Sequence, residues 1–421
     1  AAYVYEYDGN TFNFVKKIIA SSGAPGDEFG RTVGIDDTTI VVGSPLDDAL
    51  AANAGAAYIY HFDNNNWSEL QKITSSFPEF GNEFFGYSVA IHKDRFIVGA
   101  TLDDDAATDA GTAFVYAFDG PQWQFAHKLS PSDGASSHSF GFSTAINDSI
   151  LIVGAFGANN TVPSSGAAYI FRRNGTTWTE EEILFQDDVN LDDWFGFDVD
   201  VEGNTGIVTA LNNDEFVSNG GSIYVIRYDE IRDEWITEMN EFANDGLLNW
   251  RYGFSCSLDG LEFAVGALQA TGTTVKSGAV YYYDICTHKV EQTLCAVSAD
   301  STDAGNYVQW EDVKTTLIDS FYLYNALTGI SGFNRIGAVD YYDVSEWFDS
   351  VDVSLNQYSY KISTRNICGV ESDSSSQHST IVLFSDESTG DVILNWTPAE
   401  GYAFDFYRVF RDPQGDGTYD L

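Results

Sequence analysis

Along most of the chain, apolar and polar residues alternate in short bursts, and the bursts come in sets of four. After Phe85-Gly86 the sequence reads "YSVAIH", then "RFIVGA", then "TAFVYAF", then "WQFAHKL". Each burst is short, close to period two and bounded by glycine, aspartate or asparagine, which predicts four β-strands joined by turns. Helical periodicity is absent from the set. No apolar run approaches the roughly 20 residues a membrane-spanning helix needs, so no membrane insertion is expected.

The set repeats. Phe29-Gly30, Phe85-Gly86, Phe140-Gly141, Phe195-Gly196 and Tyr252-Gly253 recur at steps of 55–57 residues. A second landmark moves in phase: "GAAYIY" at Gly55, "GTAFVY" at Gly111, "GAAYIF" at Gly166, "GSIYVI" at Gly221 and "GAVYYY" at Gly278. A third, Trp67, Trp123, Trp178 and Trp235, opens the last strand of each set and is missing from the fifth. Period-sized units of four antiparallel strands cannot bury both faces alone, and stacking them around an axis gives a β-propeller. Ala1-Ala2-Tyr3 matches Ala56-Ala57-Tyr58, so the chain opens midway through a blade and is expected to hold five complete units and a partial one. Seven blades is the expected ring, with six left open.

Phe-Gly, followed by "VGSP" or "VGAT" and then Gly-Ala-Ala-Tyr, resembles the FG-GAP repeat of integrin-alpha-type propellers in its bacterial form, over roughly residues 1–286. The resemblance implies ligand recognition on the face that carries the second-to-third-strand loops and the links between blades. Asp47, Asp48, Asp103, Asp104 and Asp105 lie in those loops, and Asp27, Glu28, Asp192 and Asp193 in those links, which predicts one strongly acidic rim. The integrin calcium loops between the first two strands are not carried over, because "GIDDTTI" and its counterparts are tight turns with too few oxygens. Calcium is the one cofactor considered, with Asp47, Asp48, Asp103, Asp104 and Asp105 as its ligands; solvated carboxylates capping turns are the competing reading. The tryptophans are read as blade-edge packing, or as sugar-stacking platforms if exposed.

From about residue 289 the pattern changes to alternating strands with turn-rich gaps, the signature of a β-sandwich. Trp310, Tyr322, Tyr324 and Tyr360 resemble the aromatic landmarks of a fibronectin type III domain. The expected organisation is therefore a propeller over 1–288, a fibronectin type III-like sandwich over 289–385, and the start of a second over 386–421, where Trp396 and Tyr407 repeat the landmarks. Tandem sandwiches with "YKISTRNICGVES" resemble very large secreted proteins of Bacteroidetes, which implies a fragment of a longer multidomain chain at the cell surface or outside the cell. That likeness also implies a disulfide between Cys295 and Cys368, worth roughly 4 kcal/mol by loop entropy, with Cys286–Cys295 as the rival.

Charge narrows the partners. With 20 basic and 63 acidic residues the formal net charge is −43, which repels nucleic-acid phosphates and anionic lipids. The six histidines are scattered, and no zinc, nucleophile-elbow or phosphate-loop motif stands out. The expected function is a non-enzymatic adhesin-like protein binding an extracellular protein or glycan through the acidic face. An architectural component of a surface filament or matrix is the alternative, and a polysaccharide-degrading enzyme the third reading.

Overall fold

The computed structural model describes residues 1–75, 82–159, 162–186, 190–243, 245–246, 249–270, 276–299, 305–330, 332–352, 356–380, 383–386 and 393–396. It divides into two compact units, Ala1–Ile285 and Cys286–Leu421. Among the described residues the only helix is a single 3-10 turn, Ile285–Thr287.

The first unit is a series of radial antiparallel sheets. A two-stranded sheet, β1 (Ala2–Tyr7) and β2 (Phe12–Ile18), comes first. Four complete blades follow: β3 (Val33–Asp36), β4 (Thr39–Ser44), β5 (Ala56–Asp63) and β6 (Asn66–Thr74); β7 (Phe85–His92), β8 (Arg95–Ala100), β9 (Thr112–Phe118) and β10 (Trp123–Leu129); β11 (Ser143–Ile146), β12 (Ile150–Ala155), β13 (Ala167–Asn174) and β14 (Thr177–Leu184); β15 (Phe195–Glu202), β16 (Thr205–Ala210), β17 (Ser222–Asp229) and β18 (Glu234–Glu241). The fifth sheet of the Phe-Gly series has β19 (Tyr252–Asp259), β20 (Glu262–Ala267) and β21 (Ala279–Asp284). The fifth unit, expected to be complete, has only these three strands among the described residues. Among the described residues no tryptophan-led strand extends this sheet after Asp284.

The core lies between blades, as period two requires. On β12, Leu151 and Val153 pack with Ile97, Val115 and Phe140 in one layer, while Ile150 and Ile152 pack with Phe195, Val199 and Val208 in the next. Successive side chains of one strand thus serve two interfaces. The phenylalanine of each Phe-Gly pair meets the aromatic of its own third strand, with ring centroids 5.5 Å apart for Phe85–Phe114, 5.1 Å for Phe140–Tyr169 and 5.2 Å for Phe195–Tyr224. Both glycine landmarks touch across the blade boundary. Gly55 has φ +85°, and a Cβ there would fall 2.0 Å from the Phe85 carbonyl oxygen. No side chain fits such an approach. Trp67, Trp123, Trp178 and Trp235 are all buried, with Trp123 packed at a tilt against Phe96 and Phe118. They are packing residues.

In the second unit, β22 (Leu294–Ala299), β23 (Asn306–Trp310) and β26 (Glu346–Asp349) form one sheet. A second sheet contains β24 (Ile318–Leu327), β25 (Asn334–Asp340), β27 (Tyr358–Asn366) and β28 (His378–Ser379), ordered β25-β24-β27-β28. Leu294, Val308 and Trp310 from the first sheet meet Phe321, Leu323, Tyr360 and Ile362 from the second in one core, a sandwich. Buried Tyr360 donates to Asp349 Oδ2 at 2.8 Å and accepts from Asn306 Nδ2 at 2.8 Å, joining the sheets. Beyond it, β29 (Leu383–Asp386) and β30 (Ile393–Trp396) pair as a hairpin; residues 397–421, with Tyr407, lie outside the described residues.

The disulfide differs from both pairings considered. Cys286 bonds Cys368, with Cα atoms 5.6 Å apart, and Cys295 is free and exposed. Cys295 sits at the irregular step between Leu294 and Ala296 in the β22–β23 ladder and faces away from the core. Asn366 fixes the true pair: its Nδ2 donates to the Cys286 carbonyl at 2.8 Å while its Oδ1 accepts from the Cys368 amide at 3.1 Å.

Candidate binding face at the loop end of the propeller

Strand direction gathers the Phe-Gly starts, the second-to-third-strand loops and the inter-blade links at one end of the blades. The acidic residues named from the sequence do converge there, in two classes. Asp27, Asp47, Asp103 and Asp193 are buried, whereas Glu28, Asp48, Asp104, Asp105 and Asp192 are exposed.

The buried class builds the loops. Asp47 accepts the Ala49 amide (3.0 Å) and the Tyr58 hydroxyl (2.7 Å), and Asp103 accepts the Asp105 amide (3.1 Å) and the Thr112 hydroxyl (2.9 Å). Asp27 accepts the Ala24 amide at 2.7 Å; Asp193 accepts the Asn190 amide at 2.7 Å and the Gln186 side-chain amide. Asp48 and Asp104 close the same loops from outside, accepting the amides of Asn53 (2.8 Å) and Asp109 (2.7 Å) five residues on. The turn-capping reading therefore holds for most of these carboxylates.

Lysine supplies their countercharge. Lys72 Nζ lies 2.8 Å from Asp47 Oδ2, and one repeat later Lys128 contacts Asp105. Burial alone would lower the Lys72 pKa, but its bonds to Asp47 and Tyr58 carry it above the usual value. Burial raises the Asp103 carboxyl, against the opposing influence of Lys128 and Thr112. Among the described residues no group of three or more His, Cys, Asp or Glu is placed to hold a metal ion. With ammonium groups already against Asp47 and Asp105, these donor sets do not fit calcium, which prefers six to eight free oxygens.

Sequence reasoning missed the centre of this face. The residue after each Phe-Gly pair points at the axis: Arg31, Tyr87, Phe142, Phe197 and Phe254. They form a chain, with the Arg31 guanidinium 4.1 Å from the Tyr87 ring centroid, then centroid separations of 4.9, 5.0 and 5.7 Å along Tyr87, Phe142, Phe197 and Phe254. These side chains line a cavity of about 390 Å³, with Ser88 and Asp198 deeper in. Ser88 Oγ donates to the Gly141 carbonyl at 2.8 Å, tying neighbouring blades. Asp198 stands one blade-step after Ser143, where the other repeats carry Ser or Thr, and accepts the Cys256 amide at 2.8 Å. Burial pushes its pKa up to about 7, against the lowering effect of that amide. The signal was present in the sequence as an aromatic recurring at the same 55–57-residue step.

The FG-GAP repeat model matches residues 12–60, 67–116, 123–171 and 178–226. Residues 12–226 carry four FG-GAP repeats. Each match runs from the last strand of one sheet to the third strand of the next, so the FG-GAP boundary is offset from the blade boundary. The fifth sheet, which opens with Tyr252-Gly253, falls outside the matched residues. No match was found among curated proteins. Among solved structures, an exo-beta-1,3-galactanase from Phanerochaete chrysosporium is similar at 9% identity and TM-score 0.36, covering 79% of this chain and 90% of that one. Chicken CNTN1 FN1–FN3 domains align at 7% identity and TM-score 0.20, covering 82% and 94%. Domains A168–A170 from titin align at 9% and 0.20, covering 83% and 96%.

Proposed function

We propose that this is a non-enzymatic, adhesin-like surface protein whose FG-GAP propeller grips a basic segment of an extracellular protein at its loop end, the fibronectin type III-like sandwich serving as stalk. One observation carries the reading: a cavity walled by successive aromatic rings, with Asp198 in its lining, at the end of the blades that also carries the exposed carboxylates of Asp48, Asp104 and Asp192. Aromatic faces and carboxylates both attract cations, and Arg31 on Tyr87 is an internal example of such a contact. A chain of net charge −43 would also steer a basic partner towards it over several ångströms of screened solution. Stacking of a neutral sugar on the same rings is the second reading.

Surface plasmon resonance of the immobilised 421-residue chain would test this, with lysozyme and histone-derived basic peptides as cationic probes and neutral galactan oligosaccharides as glycan probes, each with and without millimolar calcium. The expected result is salt-sensitive retention of the cationic probes that falls about tenfold in the Phe142→Ala, Phe197→Ala double variant, a loss of about 1.4 kcal/mol. Retention untouched by that variant would assign binding to diffuse charge instead. Glycan retention alone would favour the sugar reading, and retention of neither the architectural one.

A further inference from the structure

Between the third and fourth blades the loop end departs from its neighbours in two ways at once. Phe142, Phe156, Trp194 and Phe197 form a closed cluster there, with ring centroids 4.5 Å apart for Phe142–Phe156, 5.3 Å for Phe156–Trp194, 6.2 Å for Trp194–Phe197 and 5.0 Å for Phe142–Phe197. The Trp194 and Phe197 planes lie within 9° of parallel. All four rings are half-buried, whereas Phe140 and Phe195 of the adjacent Phe-Gly pairs are sealed. Among the described residues the axial cavity is lined without Phe156 or Trp194.

Packing does not call for a ring at position 194. The residue before each Phe-Gly or Tyr-Gly pair has a left-handed backbone, with φ 55° at Glu28, 57° at Phe84, 56° at Ser139, 60° at Trp194 and 53° at Arg251. Such a conformation is uncommon for bulky residues, so the surrounding structure imposes it. One backbone post thus carries an acid, a hydroxyl, a base or an aromatic ring, and presents whichever it carries. The Trp194 amide donates to the Ser164 carbonyl at 3.4 Å and the Asp192 amide to the Pro163 carbonyl at 3.3 Å, which moors the third blade's loop alongside.

That loop is the second departure. Residues 155–166, "AFGANNTVPSSG", carry no charged side chain, and Ala158 stands where Asp47 and Asp103 stand in their own blades. Each corresponding loop of the first, second and fourth blades has at least two carboxylates. The link ahead of Phe140, residues 134–139, has none either, and burial holds its His138 imidazole below the usual value against the pull of Asp133. What the loop offers instead is amide and hydroxyl chemistry, with Asn159 exposed and accepting the Ser164 amide at 2.8 Å. On a chain of net charge −43 this sector is neutral.

We propose that this sector binds a neutral hexopyranose oligosaccharide, one sugar ring stacked on Trp194 and its hydroxyls meeting Asn159, Ser164 and Asp192. A pyranose has an apolar C–H face and a rim of hydroxyls, and an aromatic plane flanked by amides and hydroxyls matches both. A basic peptide finds no countercharge in the loop. An anionic glycan is repelled by exposed Asp192 and by the acidic rim beyond it, and a purely apolar segment would leave the loop's amides and hydroxyls unpaired. The inference does not depend on the axial reading, whose cavity Trp194 does not line.

Isothermal titration calorimetry of the full 421-residue chain is the test, with laminarihexaose, cellohexaose and β-1,4-galactohexaose as neutral probes and hexagalacturonate as the anionic one. Saturable heat is expected from at least one neutral probe, equal at low and high salt, and none from hexagalacturonate. Trp194→Ser places at this post the residue type that Ser139 already supplies in the third blade, so the fold accepts it; binding should weaken about tenfold or more. Trp194→Phe keeps a ring and should retain binding, which separates stacking from any loss of folding. No saturable heat from any neutral probe, equal binding of hexagalacturonate, or affinity untouched by Trp194→Ser would each overturn the proposal.

Discussion

The two units bury flat sheets by different means. The propeller uses one device repeatedly, a second-strand glycine (Gly43, Gly99, Gly154) pressed on a glycine carbonyl of the next blade, with Thr209 in that position in the fourth and no disulfide among its described residues. The sandwich has a single core, gathered around Trp310, Phe321, Leu323 and Tyr360, and ties its first residue to the turn after β27 with Cys286–Cys368. Repetition makes a unit tolerant of small cores because each interface adds to its neighbours. A lone small sandwich gains from a covalent tie.

The harshest break in this comparison is Gly154→Val. Its Cβ would meet the Gly196 carbonyl oxygen at 2.0 Å and Ser143 Oγ at 2.2 Å, atoms that the neighbouring blades hold fixed. A loss of about 5 kcal/mol in the propeller is expected, seen by calorimetry as a collapse of its transition while that of the sandwich stays in place. Cys286→Ser with Cys368→Ser should do the converse, costing the sandwich about 4 kcal/mol by loop entropy; Cys295→Ser should leave melting unchanged, and any loss there would reinstate the other pairing.

A subtler effect sharpens the electrostatics of the axis. Folded Asp198 holds its proton up to about pH 7, while an unfolded aspartate releases it near 4. Between those limits the folded state binds more protons, so this site's contribution to stability falls as pH rises through the window. Asp198→Asn should remove that slope and raise stability at pH 8 by up to about 4 kcal/mol while changing little at pH 4. Urea titrations of both chains at the two pH values would show it, and parallel pH profiles would refute it.

The repeat made most of the propeller legible from sequence. Phe85, Gly86, Gly111 and Trp123 each recur several times at one spacing, so a chance coincidence at one site is corrected by the others. The acidic end was legible for the same reason. What the acids do was not, because Asp47 and Asp103 look like ligands until Tyr58, Lys72 and Thr112, distant in sequence, are seen to bond them. The axial rings went unread although they follow the landmark glycines directly, since Arg31 breaks the aromatic series at its first member. In the sandwich each landmark occurs once. Neither pairing read from the sequence, Cys295–Cys368 or Cys286–Cys295, is the one formed: Cys286 and Cys368, 82 residues apart, are brought together around Asn366, a juxtaposition no spacing announces.

The four blade tryptophans have a practical consequence. Trp67, Trp123, Trp178 and Trp235 give every complete blade its own buried indole, at one equivalent depth. Keeping one of the four and replacing the chain's other eight tryptophans with phenylalanine would give a set of optical gauges, each reporting when its own sector lets water in. The order in which the gauges respond would reveal whether the blades come apart one after another or give way as a whole.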